Sequence, residues 1–451
     1  MPNAQVLGLG QSGLAAARLL KAKGWQVTAT DEGSSHNLIE KQKQLEAEGI
    51  RVKLGQKLHY SQFELEGQHV HLLVVSPGIP WDHPALLRAR EMRIETIGEV
   101  ELAWRYLSDR PWLGITGTNG KTTTTALAAA IWQTAGFYAP ACGNIGVPPC
   151  ELALSFPPPD WVIAELSSYQ IESSPHIQPR IGIWTTFTPD HLSRHYTIEA
   201  YCGIKADLLK QSHQKILNGD DLYLAKNGAR LFPDAIWTSI SGKLPAAVEH
   251  GAYIDRNIVM FDGKPVLSID QFRLLGDHNR QNLLMAVAAA KLAGIDSKSI
   301  EQAVTEFSGV PHRLEHICDY QGTSFVNDSK ATNYDAAVVG LRSAIEPVVL
   351  IAGGQAKQGN ADEWLALIKQ KSIVTLLIGE AAPEFAQLFD RVNYTNYEIV
   401  EDLSIAVPRA LLLAQTAEAK TVLFSPACAS FDQYANFEQR GDHFRQLCLN
   451  L

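Results

Sequence analysis

Between an apolar run, Trp112-Leu113-Gly114-Ile115, and a helix of small residues from Thr124 to Ala130 lies Thr116-Gly117-Thr118-Asn119-Gly120-Lys121-Thr122-Thr123. Glycines let backbone N–H groups turn inward, a helix start adds partial positive charge, and a lysine reaches terminal phosphates. These are the parts of a nucleoside triphosphate cradle. The candidate phosphate contacts are Gly117, Thr118, Asn119, Gly120, Lys121, Thr122 and Thr123, and the Thr122 hydroxyl would face Mg²⁺. The spacing departs from strict G-x-x-x-x-G-K-[ST], because the residue five before Gly120 is Ile115. A plain glycine turn with a solvated lysine is the weaker reading, since a strand feeds the loop and a helix follows it.

Other chemistry-bearing residues stand where apolar runs end. Glu165 closes Trp161-Val162-Ile163-Ala164, a position suited to a Mg²⁺ ligand or, failing that, to capping the next helix. His191 follows the run Ile181 to Thr186 and is favoured as a ligand over a satisfied surface histidine. Lys205 lies fourteen residues on, on an expected helix Ile198 to Leu209, and by spacing alone reads as a solvated lysine. Asn279 and Asn282, opening a helix that runs to Leu292, suit either a base edge or a helix cap. Near the start, Gly8-Leu9-Gly10-Gln11-Ser12-Gly13 with Asp31 about twenty residues on fits the dinucleotide fingerprint. That keeps an NAD-dependent oxidoreductase open for this segment beside another nucleotide site.

Strands alternating with helices must position these groups. The expected strands are Gln5 to Leu9, Gln26 to Thr30, His71 to Val75, Trp112 to Ile115, Trp161 to Leu166 and Ile181 to Thr186. Beyond the joint Gly309-Val310-Pro311-His312-Arg313 come Phe325-Val326, Val348 to Ala352, Ile373 to Gly379 and Thr421 to Ser425. Such alternation predicts α/β layers with mainly parallel sheets, in which ligands gather at the carboxyl ends of strands. A triphosphate, a divalent metal and polar residues on a third, closing domain suit a kinase or a ligase, and the residues alone leave both open.

Composition excludes other classes. A 451-residue chain exceeds one core. A net charge of −9 without a basic run argues against nucleic acid as a partner. No apolar window is long enough for a membrane helix, and the N-terminus lacks signal-peptide features. Six scattered cysteines with no C-x-x-C pair read as reduced thiols of a cytoplasmic protein.

Taken together, Thr116 to Thr123, Gly143-Asn144-Ile145-Gly146, Glu165-Leu166-Ser167-Ser168-Tyr169-Gln170, Asp190-His191-Leu192 with Lys205, His278-Asn279 and Pro311-His312-Arg313 resemble the muramyl ligase family over essentially the whole chain. Asn327 to Asn333 and Ser425 to Gly441 resemble its D-glutamate-adding members. The resemblance implies an α/β protein of three domains. These are a Rossmann-like N-terminal domain (1–106), a central P-loop ATPase domain with a mainly parallel sheet (107–309) and a Rossmann-like C-terminal domain (310–451).

It implies a cytoplasmic monomeric ligase acting on ATP, UDP-N-acetylmuramoyl-L-alanine and D-glutamate, with no nucleic-acid or membrane partner. Lys121, Lys205 and His191 would be catalytic. Thr122 and Glu165 would hold one Mg²⁺, and His191 with a carbamylated Lys205 a second. Asn282, Arg313 and Asp328 would complete the ATP site. Ser12, Asp31, Gly78, Asn144 and His191 would line the uridine-nucleotide substrate, which displaces the NAD reading. Lys330, Thr332, Lys357, Ser430 and Phe437 would surround D-glutamate, whose carboxylates need cationic and hydroxyl donors. The family writes Asp-His-Leu-Asp-Arg-His-Gly where this chain has Ser193 and Tyr196 in place of the second Asp and the Gly.

Overall fold

The computed structural model describes all 451 residues except 66–67, 243, 245–249, 275 and 357–358; of 64, 65, 68, 69, 193 and 335 only the backbone is described. Lys357, expected at D-glutamate, therefore lies outside the described residues. The chain packs as two compact units, Met1–Phe307 and Ser308–Leu451.

The first unit holds two large sheets. The N-terminal one has five parallel strands in the order Arg51–Leu54, Gln26–Asp31, Asn3–Leu7, Leu72–Val75, Glu95–Gly98. The first strand ends two residues before the expected Leu9. The reason is local: Gly8 turns at φ 89° and the Leu9 amide donates to the Asp31 carboxylate at 2.7 Å, leaving the ladder.

The central sheet runs Lys264–Ser268, Ile258–Phe261, Gly251–Asp255, Ile236–Ser239, Gln214–Asn218, Ile181–Trp184, Trp112–Thr116, Val162–Glu165, Ala141–Gly143. It is parallel from Gly251–Asp255 onward, while the strands Ile258–Phe261 and Lys264–Ser268 add an antiparallel extension that the sequence reading did not contain. Trp112–Thr116 is buried at every position, as a parallel strand covered on both faces must be. It lies between Ile181–Trp184 and Val162–Glu165, so three carboxyl ends open onto one place.

The second unit has a six-stranded sheet in the order Glu315–Tyr320, Thr323–Asn327, Thr421–Phe424, Val348–Gly353, Ser372–Ile378, Tyr397–Ile399. Only the first pair is antiparallel. No helix among the described residues is long and apolar enough to cross a membrane.

Candidate active site

The helix after the phosphate loop begins at Lys121 and runs to Thr134, three residues earlier than expected, because Gly120 caps it in the left-handed region at φ 82°. Lys121 and the threonines thus sit in its first turn, at the positive end of the helix dipole. The two loop glycines are required by space as well as angle. A Cβ on Gly117 (φ 148°) would stand 1.9 Å from Thr185 Oγ1, and one on Gly120 would stand 2.5 Å from Asn282 Oδ1. The loop is tied to the neighbouring strand end by Thr118 N–H to the Thr186 carbonyl at 2.9 Å and Asn119 N–H to Thr186 Oγ1 at 2.8 Å.

Two lysines converge on this loop. Lys121 Nζ donates to the carbonyls of Gly117 (2.9 Å) and Thr118 (2.8 Å), and Lys205 Nζ donates to the same Gly117 carbonyl at 2.8 Å. The solvated reading of Lys205 is overturned: the residue is 1% exposed, on the buried face of helix Ile198–Gln211, with its ammonium 4.6 Å from the Tyr201 ring centre. Burial first, and the Lys121 charge second, push its pKa well down; Asp190 and Glu165 oppose this without reversing it. Desolvation and a like charge both disfavour the ammonium form.

Glu165 is buried at the end of its strand. Oε1 accepts from Asn144 Nδ2 at 2.8 Å, whereas Oε2 is buried with no partner. The capping alternative fails, because Ser167 caps the next helix by accepting the Gln170 amide. An orphaned carboxylate oxygen in a buried site is costly unless something cationic takes it. Asn144 is held to Glu165 twice, its own amide also donating to the Glu165 carbonyl at 2.9 Å.

His191 has a left-handed backbone (φ 53°) and begins the short helix Leu192–His195. Its Nδ1 faces the Tyr169 hydroxyl at 3.2 Å and its Nε2 lies 3.4 Å from Asp190. Burial lowers its pKa, with Lys121 and Lys205 adding to the effect, so the neutral, ligand-competent imidazole is favoured. His195 is pushed down further, to about 4, chiefly by burial; its Nε2 pairs with Ser168 Oγ at 2.9 Å. Among the described residues no three His, Cys, Asp or Glu side chains form a metal-binding group. Thr122, buried in the first turn of the helix, offers a hydroxyl and Glu165 the one orphaned carboxylate oxygen.

Asn282 is buried inside helix Asp277–Leu292 rather than capping it, and its Oδ1 accepts from Thr124 Oγ1 at 3.2 Å, against the phosphate loop. In the first sheet, Asp31 accepts from Leu9 N–H and from Gly33 N–H at 2.8 Å. Asp31 and Gly78 line a cavity of about 320 Å³ with Gly8, Glu32, Pro80 and His83; Ser12, in the first turn of helix Gln11–Ala22, is not among its lining residues.

The remaining candidates belong to the second unit. Asp328 is buried; Oδ2 accepts from Ser425 Oγ at 2.8 Å and Oδ1 from Leu314 N–H at 3.3 Å, yet burial still pushes its pKa up to about 7. Arg313 presents a buried Nε without a partner. Lys330 Nζ lies 5.8 Å from the Phe437 ring centre, and Thr332 N–H donates to the Lys330 carbonyl at 2.9 Å. Ser430 is buried and its carbonyl accepts from Tyr434 N–H at 2.8 Å. Behind them Arg440, 1% exposed, donates to Ser329 Oγ, the Ser329 carbonyl and the carbonyls of Cys428 and Ala429 at 2.8–3.1 Å.

Sequence reasoning missed Tyr201, and it quoted Tyr169 and Arg440 within motifs without giving either a role. Tyr201 stands four residues before Lys205 on one helix, with its hydroxyl 3.2 Å from Thr118 Oγ1. That spacing would have paired the two residues on one face.

Residues 115–290 match the Mur ligase middle domain, and residues 2–98 match the family described as Mur ligase MurD-like, N-terminal domain. The chain is 58% identical over 457 residues to the UDP-N-acetylmuramoylalanine–D-glutamate ligase of Trichormus variabilis, covering 100% of this chain and 99% of the relative. The ligase of the same name from Trichodesmium erythraeum is 58% identical over 453 residues, covering 100% and 97%. Among solved structures, the UDP-N-acetylmuramate–alanine ligase of Thermotoga maritima (18% identity, TM-score 0.60) and a pseudomurein peptide ligase type C of Methanothermus fervidus (20%, 0.58) share the fold over 100% of both chains.

Proposed function

The chain belongs to the Mur ligase family, and from that premise we propose that it is an ATP-dependent ligase that joins D-glutamate to UDP-N-acetylmuramoyl-L-alanine through an acyl phosphate. The observation that carries the chemistry is the meeting of Lys121 and buried Lys205 on the Gly117 carbonyl of the phosphate loop. The full-length likeness to relatives with that name supports the substrate pair.

Gly117, Thr118, Asn119, Gly120, Lys121, Thr122 and Thr123 take the ATP phosphates, Lys121 exchanging loop carbonyls for phosphate oxygens. Asn282 faces the adenine side; Arg313, whose buried Nε lacks a partner, and Asp328 take the phosphate and ribose end. Asp31, Gly78 and Ser12 take the uridine nucleotide, and Asn144 and His191 the muramoyl-alanyl part. Lys330, Thr332, Lys357, Ser430 and Phe437 take D-glutamate. The domain limits 1–106, 107–309 and 310–451 belong to the same proposal, as do the cytoplasmic location and the monomeric state.

The partnerless Glu165 Oε2 fits a divalent cation, and Mg²⁺ held by Thr122 and Glu165 would supply electrophilic stabilisation of phosphate charge. For a second ion, His191 is already biased towards its neutral form, but an ammonium at Lys205 does not fit. Its lowered pKa favours the free amine, which can add CO₂ to give a carbamate and release a proton. The product is an anionic oxygen ligand that the protonated amine cannot be.

Two steps follow. The L-alanyl carboxylate attacks the γ-phosphorus of ATP in line and ADP departs, with Lys121 and the loop amides opposing the developing charge. The D-glutamate amine then attacks the acyl carbon, phosphate leaves, and the nitrogen loses a proton as the amide forms. The test is phosphate release from ATP with UDP-N-acetylmuramoyl-L-alanine, comparing D-glutamate with L-glutamate, L-lysine and diaminopimelate. Release is expected with D-glutamate alone, and its absence with both substrates present would overturn the assignment.

A further inference from the structure

Tyr196 holds a backbone conformation that residues with a Cβ seldom adopt, φ 64° and ψ −42°. Thr197 N–H donates to the His195 carbonyl at 2.7 Å across it, closing a three-residue turn of the strained, φ-positive hand. Strain of this kind persists only where the surroundings require it. Packing does not supply the requirement, because the residue is 71% exposed. What the turn does is aim the phenol. Its hydroxyl donates to Asp82 Oδ2 at 2.6 Å, a bond that is the chief cause of the lowered Asp82 pKa.

The two ends of this bond matter. Asp82 lies between Pro80 and His83, both of which line the cavity beside Asp31 and Gly78. Its neighbour Trp81 is held by Arg90, which donates to the Trp81 carbonyl at 2.9 Å and stacks 4.1 Å from the ring centre. On the other side, the turn ends the segment that begins at His191. That segment is anchored by Arg194, which reaches Glu172 at 3.2 Å and lies 5.1 Å from the Tyr169 ring centre. One hydrogen bond therefore joins the rim of the first-sheet cavity to the loop that carries His191, all within the first unit.

We infer that Tyr196 is a positioning residue that sets the span between these two places. The inference rests on the proposed function, in which one extended substrate carries a nucleotide at one end and the reacting carboxylate at the other. A substrate that must touch both places is sensitive to their separation, whereas ATP, held by the phosphate loop, is not. A phenol suits the task, being long and rigid with a donor at its tip for an ionised acceptor.

The test uses the full chain with Tyr196→Gly, Tyr196→Phe and Asp82→Ala, varying each substrate in turn and following thermal unfolding. Glycine removes the turn's strain, so Tyr196→Gly is expected to raise Tm by about 2–4 °C. Its kcat/KM for UDP-N-acetylmuramoyl-L-alanine should fall about tenfold, with KM for ATP unchanged within about twofold. Tyr196→Phe and Asp82→Ala should show the same selective loss without the gain in Tm. The inference is overturned if Tyr196→Gly gains stability with all kinetic constants intact, or if the three variants lose activity equally towards every substrate. Wild-type protein that releases no phosphate overturns the proposed function and this inference together, whereas an active wild type with indifferent variants overturns the inference alone.

Discussion

Among the described residues, two places bury a lysine or arginine almost completely, and they use it in opposite ways. Lys205, beside the phosphate loop, has the Gly117 carbonyl at 2.8 Å and Thr116 Oγ1 at 3.5 Å, with a second ammonium sharing the first of these. Arg440, in the second unit, meets four neutral oxygens from two loops at hydrogen-bond distance. Burial lowers the pKa of both, but Arg440 falls only to about 10 and stays charged, while Lys205 falls well below its ordinary value. The chemical difference is intrinsic: a guanidinium keeps its proton and offers five donors in a fixed fork, whereas a lysine gives up its charge readily when desolvated. On the proposed function the first site is the one that reacts, and the second holds loops in register.

Substitution of each cation by the other breaks or sharpens that contrast. Lys205→Arg keeps the charge and loses the neutral amine, and is expected to lower turnover at least about 10²-fold. Lys205→Ala should lose as much but recover partly with added formate, which supplies the missing carboxylate. Formate should not help the arginine variant, whose cation still fills the space. Turnover by Lys205→Arg near the wild-type level would mean that a buried positive charge, rather than a neutralisable one, is what the site needs.

In the second unit, Arg440→Lys should cost about 2–4 kcal/mol of stability, because a single ammonium leaves some of the four acceptors unsatisfied. Denaturant midpoints of the two proteins measure this. A neutral result would remove Arg440 from its role as scaffold.

The last test concerns Asp328, beside that scaffold. Its folded pKa, pushed up to about 7 by burial, exceeds its unfolded value. The folded state thus keeps a proton that the unfolded state has released, and its contribution to stability declines as pH rises from about 4 to about 7. Asp328→Asn should flatten the pH dependence of Tm across that window, and an unchanged slope would show that Asp328 is ionised throughout.

How much of this was legible beforehand depends on the range of the interaction. The phosphate loop could be read because its glycines, lysine and helix start are neighbours in the chain. The strands that were read, Trp112–Thr116 and Val348–Gly353 among them, came out within a few residues because a doubly covered parallel strand must be apolar throughout. The parallel strands Arg51–Leu54, Glu95–Gly98, Gln214–Asn218, Ile236–Ser239 and Tyr397–Ile399 were not read. Lys205 could not be placed from its spacing, since the groups that bury it, Gly117 and Thr116 among them, lie nearly ninety residues away. The role of Arg440, a residue inside a quoted motif, was hidden for the same reason: its acceptors Ser329, Cys428 and Ala429 come from two other loops. The antiparallel extension from 258 to 268 escaped because its short strands follow the parallel ones without a helix to mark the change.

Local chemistry, the alternation of strands with helices, and likeness to a family were settled by the order of residues alone, because each depends on contacts between near neighbours or on whole stretches of chain. Which lysine loses water, which carboxylate oxygen is left without a partner and which tyrosine reaches across to another loop were decided by tertiary structure. Solvation and electrostatic coupling depend on what surrounds a group in space, and the surroundings exist only once distant segments have packed.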